Sequence, residues 1–102
     1  MSELFRKFDS VFFEKTRLSM MTVMYQEGKV SFTMFKERLG ASDGAIYTHL
    51  EKLVNAGYVD KTKEIAGTEV QTVYMPTERG RRLFGEYLEF LEELLAETKR
   101  DS

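Results

Sequence analysis

Residues 41–59 read ASDGAIYTHLEKLVNAGYV, and the fold turns on how this stretch is bounded. Ser42 is a residue of the kind that caps a helix, its side-chain oxygen accepting from a first-turn N–H. Ile46, Leu50, Leu53 and Val54 follow at i, i+4, i+7 and i+8, which gathers them on one helical face. Gly57 supplies the left-handed residue that stops the helix. The stretch therefore predicts a short helix over about 42–56. Opposite its apolar face stand Asp43, Gly44, Ala45, Tyr47, Thr48 and, one turn on, Glu51 and Lys52, a surface with little net charge.

Upstream, an apolar-periodic segment over about 10–26 offers Val11, Phe12, Leu18, Met21, Val23, Met24 and Tyr25 for burial, and it ends at Gly28. Lys29, Val30 and Ser31 suit a connector or a very short strand. Ser31 or Thr33 can cap a second helix, with Phe35 and Leu39 on one side, that ends at Leu39-Gly40. Downstream of Gly57 the period changes. Residues 58–65 and 70–75 are rich in β-branched and aromatic side chains around Ala66-Gly67-Thr68-Glu69, a hairpin with a glycine-containing four-residue loop. Pro76 closes the second strand, because it has no N–H to donate, and Thr77 can cap a last helix reaching about residue 98.

Composition narrows the classes available. A chain of 102 residues with 42% hydrophobic and 31% charged residues is one globular domain, covering 1–102. No apolar run is long enough for a membrane span and the start lacks a signal-peptide core, so the expected location is cytoplasmic. With no cysteine and a single histidine, His49, neither a disulfide nor a metal site is expected. The sequence has no glycine-rich phosphate loop and no nucleophile elbow, so no catalytic residues, cofactor or enzymatic activity are expected. The net charge of −2 means that any nucleic-acid contact must come from local patches or from their arrangement in a dimer.

The expected class is mainly α with a small β-hairpin. A short helix joined by a tight glycine-bearing turn to a second helix is the helix-turn-helix unit, here about 33–57, and a hairpin directly after it, about 58–76, makes a winged helix. The run FTMFKERLGASDGAIYTHLEKLVNAGYVDKTKE, followed by TVYMPTERGRRLF, resembles the small one-domain winged-helix transcriptional regulators of the MarR/ArsR-like group found in archaea and bacteria. Phe35, Leu39, Ile46, Leu50 and Leu53 match that family's core positions, and AGYV its turn into the wing. The resemblance covers nearly the whole chain and implies a winged helix-turn-helix with a long C-terminal dimerisation helix over about 77–99.

That resemblance implies a regulator of double-stranded DNA whose recognition helix, 42–56, enters the major groove while the wing, 61–73, lies on the flanking backbone. Ser42, Gly44, Ala45, Tyr47 and Thr48 are then nearest the bases. Lys36, Arg38 and Lys52, with Lys61 and Lys63 from the wing stem, are placed to approach phosphates. The wing departs from the family pattern: its tip, AGTEVQT, offers Glu69 where the family usually carries arginine or lysine. Over 33–63 the five cations are nearly balanced by Glu37, Asp43, Glu51 and Asp60, which predicts modest, dimer-dependent binding with a shallow salt dependence.

Plainer roles stand beside these. His49 borders the apolar stripe and suits a partly buried, hydrogen-bonded histidine; Tyr47 could pack on the wing or on a partner chain. Lys61 and Lys63 could be edge-strand charges that discourage aggregation. Arg79, Arg81 and Arg82 fit a solvated first turn, with Arg81 or Arg82 pairing with Glu78 or Glu86. Phe5, Phe8 and Phe12 near the start, and Phe84, Tyr87, Leu88, Leu91, Leu94 and Leu95 near the end, exceed what one small core can bury and are expected at a homodimer interface. Any small-molecule effector is beyond what these residues specify. The alternative function is a winged-helix module that binds protein without binding DNA.

Overall fold

In the computed structural model, residues 10–101 are described. Phe5 and Phe8 lie outside them. After a turn at 10–13, helix α1 (Lys15–Glu27) leads to a two-residue strand β1 (Val30–Ser31). Helix α2 (Phe32–Leu39), helix α3 (Asp43–Asn55), strands β2 (Val59–Ala66) and β3 (Glu69–Pro76) and helix α4 (Glu78–Asp101) complete the order.

The helix boundaries follow from caps. Ser31 Oγ accepts from Met34 N at 3.1 Å, Ser42 Oγ from Ala45 N at 3.2 Å and Thr77 Oγ1 from Gly80 N at 3.1 Å, so three hydroxyls start α2, α3 and α4. Gly40, left-handed at φ 63°, ends α2 and lets α3 begin three residues later. At the end of α3, Tyr58 N reaches Leu53 O and Gly57 N reaches Val54 O, both at 3.0 Å, with Gly57 at φ 85°. This pair of bonds is the Schellman closure, and buried Tyr58 and Leu53 supply its apolar contact.

Two boundaries differ from the sequence reading. Helix α1 starts at Lys15 and not near Ser10, because Glu14 caps it, Oε2 accepting from Thr16 N and Arg17 N at 3.0 Å each. The hairpin loop has two residues and not four, since Ala66 and Glu69 are themselves paired in the ladder. In the turn only Gly67 takes a positive φ, 66°, the sign pattern of a type II′ turn, which suits the twist of the flanking strands. Residues 30–31 form a strand, Val30 opposite Tyr74 and Ser31 opposite Val73, so the sheet is three-stranded and antiparallel in the order β1-β3-β2.

The core lies between α1, the inner faces of α2 and α3, the sheet base and the start of α4. Met20, Met21, Met24, Phe35, Ile46, Leu50 and Leu53 have no exposed surface. An aromatic cluster closes one side, with Phe12 5.0 Å from Tyr58 and 6.5 Å from Phe84 between ring centroids. Phe12 and Phe84 are thus corrected as interface residues: they are 0% and 3% exposed in the chain's own core and offer a partner almost nothing. Among the described residues no helix is long and apolar enough to cross a membrane.

Candidate nucleic-acid interface

Burial of Ile46, Leu50 and Leu53 fixes the roll of α3 and so decides which side chains face outward. Ser42, Gly44, Tyr47, Thr48 and Lys52 are exposed and Ala45 is half-buried. A Cβ built on Gly44 would meet nothing within 4 Å, so the N-terminal part of this face is bare. Lys36 and Arg38 are exposed on α2, and Lys61 and Lys63 on β2. The face of α3 and the stem of the wing meet in an open groove of about 360 Å³ lined by Phe32, Tyr47, Lys61, Thr62, Lys63, Thr72 and Tyr74. The structure therefore brings Tyr47, Lys61 and Lys63 together.

Three of the five cations on this face are already committed. Lys36 Nζ lies 2.9 Å from Asp43 Oδ1, and Arg38 Nη2 3.1 Å from Glu27 Oε1. Lys61 Nζ donates to Glu51 Oε2 at 2.9 Å and sits 5.7 Å from the centre of the Tyr47 ring. Tyr47 Oη donates to the other Glu51 oxygen at 3.4 Å. The hydrogen bond to Glu51 is the main reason the Lys61 ammonium is held above the usual lysine value. On the groove floor, burial pushes the Tyr74 phenol up, keeping it protonated. Lys52 and Lys63 have no ion pair with another described residue.

Behind the face lies a polar cluster the sequence did not reveal. Arg17 of α1 is 6% exposed; its guanidinium donates to the carbonyls of Val11 and Ser10 and, at 2.7 Å, to His49 Nδ1 on α3. Glu14 Oε2 lies 3.6 Å from His49 Nδ1 and 3.8 Å from Arg17 Nη1. Partial burial raises the Glu14 carboxyl's pKa, but the N–H groups of Thr16 and Arg17 and the nearby Arg17 charge together bring it below the usual value. His49 is thus a partly buried, hydrogen-bonded histidine facing α1.

At the other corner, the Arg79 guanidinium stacks 4.6 Å from the Tyr58 ring centre and Arg82 pairs with Glu78 at 2.9 Å, while Arg81 is exposed. At the wing tip Ile65 and Val70, opposite each other in the ladder, are 80% and 66% exposed.

Helix, tight turn, helix and a hairpin packed beside the second helix define a winged helix-turn-helix protein. The chain belongs to the winged helix DNA-binding domain family, whose model matches residues 16–95. An uncharacterized protein of Methanocaldococcus jannaschii is 30% identical over 78 residues, covering 76% of this chain and 85% of its own. A transcriptional regulator homologue from Pyrococcus horikoshii superposes with a TM-score of 0.79 at 24% identity, over 96% of this chain and 98% of its own. A MarR-family regulator from Enterococcus faecalis does so with a TM-score of 0.73 at 21% identity, over 91% and 86%. At these identities the structural likeness is one of fold.

Proposed function

We propose that the chain is a sequence-specific DNA-binding transcriptional regulator that acts as a homodimer. The carrying observation is the exposure of Ser42, Gly44, Tyr47, Thr48 and Lys52 on α3 together with the groove in which Tyr47 meets Lys61 and Lys63 of β2. In this reading α3 enters the major groove, with Ser42, Gly44, Ala45, Tyr47 and Thr48 at the base edges. Lys36, Arg38, Lys52, Lys61 and Lys63 approach the phosphates. The family match supports DNA as the partner.

Support for the homodimer comes from α4. Phe84, Tyr87, Leu88, Leu91, Leu94 and Leu95 fall at i, i+3, i+4, i+7, i+10 and i+11, one stripe along the helix. The chain's own core takes Phe84 and packs against Tyr87 and Leu88, while Leu94 and Leu95 are 38% and 58% exposed. A stripe that outruns its own core suits a second copy, and a two-fold dimer presents two recognition helices to half-sites one helical turn apart.

The test is binding of the purified protein to random and genomic duplexes at low and moderate salt, repeated with Lys36→Ala and Lys52→Ala. Binding that weakens in both variants across all sequences is the expected result. If no duplex binds at low salt, or neither substitution matters, the DNA reading fails, and the exposed Ile65–Val70 pair favours a protein partner instead.

A further inference from the structure

Three of the five cations expected at phosphates hold carboxylates from other elements: Lys36 with Asp43, Arg38 with Glu27 and Lys61 with Glu51. Glu51 differs from the other two carboxylates in what it holds. From the outer side of α3 it takes the wing's Lys61 with one oxygen and the Tyr47 hydroxyl with the other. It is half-buried at 25% side-chain exposure, next to the groove that Tyr47 and Lys61 line.

Building on the DNA reading above, we propose that Glu51 is a specificity-determining residue, withholding Lys61 and the Tyr47 hydroxyl from arbitrary phosphates and so suppressing sequence-independent binding. A non-specific complex draws its free energy almost wholly from cations on phosphates and the counterions they release. Lys61 joins such a complex only by leaving Glu51, and the abandoned carboxylate then faces the backbone with its charge uncompensated. At the correct site the exchange is repaid, because a base edge or a phosphate in fixed register meets the released Tyr47 hydroxyl. Glu51 therefore subtracts more from the wrong complex than from the right one, which is how specificity arises as a difference of affinities.

The experiment compares wild type, Glu51→Gln and Glu97→Gln by fluorescence anisotropy on a selected genomic duplex and a random duplex of equal length, from about 50 to about 200 mM salt. Gln keeps the shape and a polar partner for Tyr47, and Glu97→Gln makes the same charge change on exposed α4. Expected for Glu51→Gln is about three- to tenfold tighter binding to the random duplex at the lowest salt, with a salt slope steeper by about 0.9 for each lysine released. Discrimination between the duplexes falls accordingly. Equal gains on both duplexes, no change relative to wild type or Glu97→Gln, or weaker binding to the random duplex each overturn the proposal while leaving DNA binding standing. If neither wild type nor Glu51→Gln binds any duplex, the DNA reading itself falls and the role of Glu51 with it.

Discussion

Two glycines separate structural from functional constraint at single positions. Gly80 lies in the first turn of α4, where an added Cβ would stand 2.3 Å from the Tyr58 carbonyl oxygen and 3.1 Å from the Met21 methyl. That oxygen cannot swing aside cheaply, because it also accepts from Thr77 N at 3.0 Å. Alanine is ordinarily better than glycine in a helix by about 1 kcal/mol, but overpacking against fixed backbone costs about 1–3 kcal/mol, and at 2.3 Å the clash wins. Gly80→Ala is expected to lower the thermal midpoint measured by circular dichroism, each 1 kcal/mol being worth about 4–8 °C in a domain of this size. Gly44→Ala meets open space and should raise the midpoint or leave it unchanged. An unchanged midpoint for Gly80→Ala would mean that α4 docks against the α3–β2 corner differently.

Among the elements, α1 and α3 are joined through charge as well as packing. Glu14 caps α1 and faces Arg17 and His49, so its ionised form is favoured in the folded state. A carboxyl whose folded pKa is depressed adds stability that is complete above its unfolded value, near 4.5, and is lost as pH falls through the lower folded value. Glu14→Ala is therefore expected to cost about 1 kcal/mol at pH 7, in the range of a lost cap, with the gap to wild type closing in acid. Urea unfolding at a series of pH values reads this out, and a gap that stays constant into acid would mean that the carboxylate's charge is not what matters. The sequence displayed the local half of this architecture: hydroxyl caps at Ser31, Ser42 and Thr77 and stops at Gly28, Gly40 and Gly57 are carried by residues next to the boundaries they make. It concealed what depends on distant partners. Glutamate is not a preferred cap, so the sequence places the start of α1 five residues early, and nothing near Arg17 announces a guanidinium buried against His49, 32 positions away. Likewise the composition shows five cations on the candidate face, but their pairing with Asp43, Glu27 and Glu51 exists only once α2, α3 and the wing are assembled.

At the scale of the whole molecule, the elongated shape goes with a C-terminal helix whose last turns outrun the core. The chain extends 56 × 25 × 24 Å, and α4, at 24 residues, is about 36 Å long. Its apolar stripe passes from Phe84, 3% exposed, through half-buried Tyr87, Leu88 and Leu91 to exposed Leu94 and Leu95. The crowded aromatic cluster that made Phe12 and Phe84 resemble interface residues is the core's own lining, whereas the surplus surface lies on the distal turns. In the dimer reading those turns carry association, and they can be altered without touching the core. Leu94→Glu with Leu95→Glu is expected to leave the thermal transition of the domain cooperative while halving the mass measured by sedimentation. Since a dimer converts its second half-site contact into an intramolecular event, losing it should weaken binding to a two-half-site duplex by about 10²–10⁴-fold. Binding to a single half-site should change little. A wild type that sediments as a monomer would overturn the dimer reading, and a double variant that remains a dimer would place the association surface elsewhere; a dimeric wild type whose monomeric variant binds both duplexes as before would detach dimerisation from DNA recognition.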